Sequence, residues 1–551
     1  MPTISIDKQR FLNKLATSLS DEELRSQLSQ LGTDVEDITE DEVTVEIFPN
    51  RPDLLSSQGL ARNLKGILGE ETGMPEYNVK PSDNQVIVDE TVSEVRPYTS
   101  CAVVKDIEFD EAALEDLVEL QEKIHVTYGR NRRECALGLY PLDAISFPIT
   151  YKAEQPENIA FTPLGFSSSM SAKKILEEHE KGREYGQLLE QYDSYPVFID
   201  DEDSVLSMPP IINSEHVGRV TTNTTGLFIE CSGFHPEKLH RALNIVCADL
   251  IDQGATVHNV NITYDEYEES TPTLNHPDTH SVSKDDVNEW LGTSLTEDDI
   301  AEAAEKMRYD SNTEKDEIIN VSNAPYRIDL QGSSDIIEDI AIGYGFNNIE
   351  VDDGRSHANG SKSINTRLEG KTRRIVEGAG YQELYTFSLC NFSKMQRLSS
   401  RDAVKLKNSL SDRFNALRSS LIPQHLDVLA DNTHYSYPQE LYETGKIFLE
   451  DSEENTGVNE PKVLCLTSCG KTDNFSSVQQ LLQTLANRLN TDLSFEKTSH
   501  PSMIQGRSVS IITNNDDIGV FGEIHPEILA DFSVNQPVVV AEIHLKPLTE
   551  D

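Results

Sequence analysis

The segment that most restricts the fold spans residues 323–349, where spacing forces an amphipathic helix. Ile336, Ile337, Ile340, Ala341 and Tyr344 recur at i, i+1, i+4, i+5 and i+8, one apolar stripe that has to be covered. Ser333 or Ser334 can cap the start, and Gly345 suits the left-handed residue that ends such a helix. The opposite face carries Asp335, Glu338 and Asp339 at i, i+3 and i+4, so three carboxylates project to one side. Asp329 ends a short extended stretch, Arg327-Ile328-Asp329, and can meet them across the turn. Four oxygen donors without Cys or His suit a hard cation such as Mg2+. Acids in a first helical turn also complement the macrodipole. Carboxylate clusters arise easily in a chain with 95 Asp and Glu, so the residues alone leave both readings open.

Those acids are spread along all 551 residues, against 47 Lys and Arg, for a formal net charge of −48. A free nucleic-acid binder carries a basic footprint, and this chain has none. A cytoplasm full of salt accounts for such a balance, because screening lengths fall to about 3 Å at 1 M and acids keep the surface hydrated. The length accommodates three to five domains of roughly 100–200 residues. The seven cysteines (101, 135, 231, 247, 390, 465 and 469) are scattered, without a CxxC pair, and read as reduced thiols of a cytoplasmic protein. His276 and His280 share i, i+4 spacing but lie in a Pro-containing loop without a third ligand, so zinc is not expected there. The start has no apolar signal core, and no apolar run is long enough for a bilayer.

Taken in order, the chain reads as an α+β multidomain protein of four blocks. Residues 1–80 form a small α+β unit: a strand over 3–6, helices over 8–15 and from Ser20, and a strand over 43–47. Phe48-Pro49-Asn50-Arg51-Pro52-Asp53 then turns into a helix over 57–68 that stops at Gly69. Residues 81–268 read as a mixed α/β domain with strands over 85–88, 101–104, 137–139, 147–151 and 195–199 and a helix over 112–127. After that helix comes the most basic short run, Tyr128-Gly129-Arg130-Asn131-Arg132-Arg133, either a surface loop or a contact to nucleic-acid phosphate. Further on, Glu230 ends the apolar run Leu227-Phe228-Ile229. Residues 269–350 hold helices over 283–291 and from Thr296, a strand over 318–321 and the opening segment, in a winged-helix-like order. Residues 355–551 have helices over 364–378 and 477–489 and strands over 383–389, 441–448, 463–468, 509–513, 520–524 and 538–543. A Gly-, Ser- and Asp-rich linker covers 352–362, and an acidic, solvated loop covers 450–460.

Several strings together resemble the β-subunit family of phenylalanyl-tRNA synthetase (phenylalanine–tRNA ligase), in its archaeal and eukaryotic form. Arg327-Ile328-Asp329, Asp335-Ile336-Ile337-Glu338-Asp339-Ile340-Ala341 and Gly345-Phe346-Asn347-Asn348-Ile349 resemble its metal-binding module, with Asp339 where the family usually has Glu. Pro49-Asn50-Arg51-Pro52-Asp53 looks like its N-terminal signature. Leu206-Ser207-Met208-Pro209-Pro210-Ile211-Ile212-Asn213-Ser214 and the segment ending Ile229-Glu230-Cys231-Ser232-Gly233 resemble its editing domain. Asn408-Ser409-Leu410-Ser411, Leu417-Arg418-Ser419-Ser420-Leu421-Ile422-Pro423 and Glu443-Thr444-Gly445-Lys446-Ile447-Phe448 resemble its degenerate, antiparallel class II core. The resemblance implies Mg2+ at Asp329, Asp335, Glu338 and Asp339. It implies hydrolysis of mischarged Tyr-tRNA(Phe) by Glu230, Ser207 and Ser232, the last standing where Thr is expected. It also implies an α-subunit partner (two α with two β) that binds ATP and phenylalanine, a tRNA(Phe) substrate, a cytoplasmic setting and no membrane.

Amino-acid activation is not expected of this chain. A class II site needs an Arg for the α-phosphate and a glycine-rich strand ending in Arg. The only Arg-x-Glu near the last block, Arg367-Leu368-Glu369, is poorly placed, and Gly343-Tyr344-Gly345 is not followed by that Arg. Class I His-Ile-Gly-His and Lys-Met-Ser-Lys-Ser are missing. Gly470-Lys471-Thr472 looks like the end of a P-loop, but Cys465 stands where its first Gly must be. Two rival readings are a non-catalytic acidic scaffold and a metal-dependent hydrolase centred on the four carboxylates. The charge generates a prediction: melting temperature rises as KCl goes from millimolar to multimolar, because salt screens self-repulsion. A melting temperature flat across that range overturns the salt-adapted reading.

Overall fold

A computed structural model describes residues 2–313, 317–351, 360–399, 401–470 and 474–548. The chain falls into two compact units, Met1–Asp353 and Gly354–Asp551. Among the described residues no helix is long and apolar enough to cross a membrane.

The first unit opens with the strand Thr3–Asp7 and the helices Lys8–Leu15 and Asp21–Gln30. Ser20 and Glu23 close a reciprocal capping box, the Glu23 carboxylate accepting from the Ser20 amide at 2.8 Å. Glu42–Glu46 is the central strand of a small sheet between Thr3–Asp7 and Asp34–Ile38. Spacing gives no sign of Asp34–Ile38, because Val35 is its one buried residue.

A ten-stranded sheet follows. Its path runs from Ile212–Asn213 through Val205–Met208, Tyr195–Ile199, Ile149–Glu154, Gln85–Val88, Thr256–Thr263, Tyr98–Lys105 and Gly226–Gly233 to Cys135–Pro141. The two ends of that path come back together. Asn213 Nδ2 donates to the Leu139 carbonyl at 3.2 Å, and the Tyr140 hydroxyl donates to Ser207 Oγ at 2.7 Å. The sheet thus curls until its ends meet in a seam, as strand twist favours.

The strand Gly226–Gly233 separates two cores by simple alternation. Leu227, Ile229 and Cys231 join one cluster, and Phe228 joins the other. Against the first packs the helix Pro236–Asp252, with Leu239, Ala242, Leu243, Ile245, Val246 and Leu250 buried. Leu239, Ala242, Leu243, Val246 and Leu250 form its buried stripe at i, i+3, i+4, i+7 and i+11. The same cluster continues from Ile4 through Ile245 to Ile342, so the blocks 1–80, 81–268 and 269–350 share a core.

In the third block the strands Asp278–Ser283 and Tyr309–Thr313 flank Ile318–Asn323, and the helices Lys284–Leu291, Glu297–Lys306 and Ser333–Tyr344 accompany them. Ser333–Tyr344 buries Ile336, Ile337, Ile340 and Ala341, as its stripe requires. Its N-cap is Gly332, not Ser333 or Ser334. Asp335 Oδ2 satisfies the start instead, accepting from the Gln331 and Gly332 amides at 2.7 and 3.0 Å. Gly345 has φ 93°, a conformation that favours glycine. Residues 327–329 form no strand; they follow a turn at Pro325 and Tyr326.

The second unit is a seven-stranded sheet in the order Gln382–Glu383, Gln439–Lys446, Lys462–Cys469, Val538–His544, Asp516–Ile524, Met503–Thr513, Ser494–Lys497. All its pairs are antiparallel except the first. Leu464 and Leu466 meet the helices Ile364–Gly378 and Asn474–Leu489 on one face. Val463 and Cys465 meet Ile422–Asp431 on the other. The strand read over 383–389 splits into Gln382–Glu383 and Leu389–Cys390, with Tyr385 and Phe387 exposed between them. The acidic loop holds a short hairpin, Leu449–Glu450 with Val458–Asn459. Arg418 donates to Glu443 at 2.9 Å, and a Cβ at residue 445 would lie 2.5 Å from Arg418 Nη2, which accounts for Gly445. Most of the linker over 352–362, and Lys471 and Thr472 of the P-loop-like string, lie outside the described residues.

Candidate active site and carboxylate node

The seam of the large sheet encloses a cavity of about 300 Å3, with Glu230, Ser207, Leu137, Leu139, Ile211 and Arg132 among its lining. Glu230 lies on Gly226–Gly233, one strand in from the edge strand Cys135–Pro141, and its cross-strand partner is Gly138. A Cβ at residue 138 would sit 2.6 Å from Glu230 Oε1 and 2.3 Å from the Tyr140 hydroxyl. Glycine there opens the gap through which the carboxyl group reaches the cavity.

Glu230 is 2% exposed. Burial pushes its carboxyl up to about 8, against the opposing charge of Arg96 and the hydroxyls of Tyr140 and Ser232. Its Oε1 is 3.2 Å from the Tyr140 hydroxyl, while Oε2 is buried without a hydrogen-bond partner. Tyr140 has one proton and two acceptors within reach, Ser207 Oγ at 2.7 Å and Glu230 Oε1. The phenol donates to one of them at a time, and in either arrangement Glu230 Oε2 is left without a partner. Burial also holds the Tyr140 phenol well above its ordinary range.

The structure brings Glu230 and Ser207 to the cavity and leaves Ser232 off its wall. Ser232 Oγ accepts from Arg96 Nε at 3.1 Å, and its carbonyl accepts from Arg96 Nη2 at 2.5 Å. Ser232 therefore bears on Glu230 both through its hydroxyl and through the guanidinium it holds. In the basic run, Arg130 and Arg133 are exposed, whereas Arg132 is buried and lines the cavity. Sequence reasoning missed Gly138, Tyr140 and Arg96. A glycine inside an otherwise apolar strand was the available signal for Gly138; nothing local marked Arg96.

The four carboxylates of the opening segment do not face one point. Arg327 Nε and Nη2 hold both oxygens of Asp329 at 2.8 and 2.7 Å. Nη2 also reaches Asp339 Oδ2 at 2.7 Å, which accepts from the Tyr309 hydroxyl at 2.5 Å. Burial works to raise the Asp329 carboxyl, but the charge of Arg327 and its hydrogen bonds bring it down to about 2. Arg51, from Pro49-Asn50-Arg51-Pro52-Asp53, adds to that field while holding Asp53 at 2.9 and 2.8 Å and Asn63 at 3.0 Å. Two motifs far apart in the chain thus meet at one charge node. Glu338 is exposed. Among the described residues no group of three or more His, Cys, Asp or Glu converges as a metal site. The donor chemistry, all oxygen, suits Mg2+. Arg327 takes both oxygens of Asp329 and one of Asp339, so two of the acids predicted as ligands are engaged by a guanidinium and the four are not gathered around a common point.

Three family models match the chain: the phenylalanyl tRNA synthetase beta chain CLM domain over 355–545, the tRNA synthetase B5 domain over 280–346 and the Phe-tRNA synthetase beta subunit B1 domain over 1–70. The phenylalanine–tRNA ligase beta subunit of Pyrococcus horikoshii is 37% identical over 558 residues, covering 100% of both chains. That of Archaeoglobus fulgidus is 38% identical over 528 residues, 94% of each. A crystal structure of an N-terminal fragment of the Pyrococcus horikoshii phenylalanyl-tRNA synthetase beta subunit superposes with a TM-score of 0.61 at 38% identity, covering 62% of this chain and 99% of that one.

The geometry at Glu230 predicts a pH dependence. Its folded value is raised above the ordinary 4.5, so its contribution to stability is present below that value and is lost as pH rises through about 8. Glu230→Gln cannot ionise. Across that window wild type loses up to about 1.4 kcal/mol per pH unit relative to the variant, measured by denaturant melts. Parallel pH profiles for the two proteins contradict a buried, protonated acid.

Proposed function

We propose a proofreading role from a premise the relatives establish: this chain belongs to the β-subunit family of phenylalanine–tRNA ligase, an aminoacyl-tRNA ligase. Such a subunit implies an α-subunit partner and a tRNA. In our reading ATP and phenylalanine bind the α subunit, which makes the ester, in a cytoplasmic assembly of two α and two β. The −48 charge then reflects a salt-adapted source. Neither the scaffold nor the metal-hydrolase alternative is favoured by relatives matched over the whole chain.

Tyrosine is phenylalanine plus one hydroxyl, and an apolar pocket rejects an added hydroxyl by only about 100-fold. A second site that hydrogen-bonds the phenol discriminates the other way. The observation that carries the reading is Glu230, a buried acid that lines the cavity and has one carboxyl oxygen, Oε2, without a hydrogen-bond partner. The phenol of a tyrosyl ester donates to Oε2; a phenylalanyl ester leaves it unpaired, which costs binding. Ser207 accepts from Tyr140, so its own proton is free for the ester carbonyl or for the attacking water. Ser232 holds Arg96, whose charge limits how far Glu230 is raised. Arg130 and Arg133 are the arginines of the basic run left to meet tRNA phosphate.

The remaining blocks brace the assembly. Tyr385 is 94% exposed and Phe387 77%, and with Leu389 they line one groove, an apolar face that suits the α subunit. A specific complex of this kind buries at least about 1,000 Å2. Asp335, Glu338 and Asp339 would hold Mg2+ only if they were drawn together, since Asp329 is locked by Arg327; the ion would then add positive charge to the node.

Three experiments test these assignments on the co-purified αβ assembly. Glu230→Ala abolishes Tyr-tRNA(Phe) deacylation while phenylalanine charging persists; hydrolysis at the wild-type rate removes Glu230 from the site. Phe387→Ser lowers recovery of α with the tagged chain, and Asp335→Ala with Glu338→Ala lowers bound magnesium by elemental analysis. Unchanged recovery and unchanged metal content sink the respective assignment.

A further inference from the structure

The turn before the edge strand is wound the wrong way for its residues. Arg130, Asn131 and Arg132 hold φ of 49°, 56° and 62°, three consecutive left-handed residues and none of them glycine. Side chains disfavour this conformation, and a run of them persists only where the surroundings over-determine it. Within the turn Arg130, Asn131 and Arg133 are exposed, and Arg132 alone is buried.

Once inside, Arg132 is held through its two terminal nitrogens, while Nε is buried without a partner. Nη1 donates to the carbonyls of Pro210 and Ile211 at 3.2 and 2.9 Å. Nη2 donates to Glu122 at 2.5 Å, and the guanidinium lies 4.5 Å over the Tyr185 ring. Pro210 and Ile211 sit between the strand bearing Ser207 and the terminal strand Ile212–Asn213, across the seam from Cys135–Pro141. Arg132 therefore joins the two ends of the curled sheet beside Ser207 and Glu230.

We propose that Arg132 is a positioning residue of the proofreading site: the left-handed turn sends its guanidinium under the Pro210–Ile211 wall, fixing Ser207 relative to Glu230. This rests on the proofreading reading above. Lysine cannot replace it, because a point charge cannot span two carbonyls and a carboxylate while stacking on a ring.

The test uses the αβ assembly with Arg132→Lys, Asn131→Gly and Glu230→Ala, measuring kcat and KM for Tyr-tRNA(Phe) hydrolysis alongside phenylalanine charging. Arg132→Lys is expected to lower the hydrolytic kcat by about 100-fold, the scale of an ångström-sized misplacement, with charging intact. Asn131→Gly eases the turn, keeps the guanidinium, and retains the hydrolytic rate. Arg132→Lys hydrolysis within about twofold of wild type overturns the proposal. Parallel loss of charging and hydrolysis also overturns it, since that assigns Arg132 to folding alone. If Glu230→Ala keeps full hydrolysis, the proofreading reading itself fails. If Glu230→Ala loses hydrolysis and Arg132→Lys does not, only the inference about Arg132 fails.

Discussion

A charge withdrawn from water has to be answered inside the protein, and how completely it is answered separates three arginine nodes of this chain from Glu230. Arg327 is answered by Asp329 and Asp339, and Arg51 by Asp53 and Asn63. Arg418 is answered by Glu443, Thr386 and the Lys446 carbonyl. Each of these nodes ties loops to strands and leaves little unspent. Glu230 differs: one oxygen is engaged, the other is buried and orphaned, and the group is held near neutrality by burial. An unfinished hydrogen-bond shell beside a cavity is a place for a ligand's proton.

The fold supplies that shell through sheet closure. Alternation along Gly226–Gly233 turns Leu227, Ile229 and Cys231 to one core and Phe228 and Glu230 to the other face. The curl brings the edge strand against the far end of the sheet, where Tyr140 meets Ser207 and Asn213 meets Leu139. Gly138 leaves the gap between Glu230 and the cavity. None of these residues forms the site alone; the seam does.

Much of this was legible in the sequence. The stripe at Ile336, Ile337 and Ile340, the capping residues Ser20 and Thr296, and the existence of the strand through Glu230 follow from local periodicity and hydrogen-bond chemistry, although that strand runs on to Gly233, past the end expected at Glu230. What escaped has physical reasons. Asp34–Ile38 buries one residue, so no alternation marks it. Arg132 reads as one more basic surface residue until the left-handed turn is seen to point it inward. The four acids at 329–339 read as one cluster, because spacing along a helix does not show that Arg327 stands among them. Seams, like ion pairs between distant segments, are long-range facts that local patterns do not contain.

The most direct test of the account is the protonation state of Glu230 itself. Infrared difference titration of the αβ assembly, with Glu230→Gln as the blank, reads the carboxylic C=O band of this one residue. The account predicts a midpoint near 8 and a band shifted by a non-hydrolysable tyrosyl-adenosine ester analogue but not by its phenylalanyl counterpart. A midpoint near the ordinary 4.5, with the two analogues indistinguishable, would contradict it.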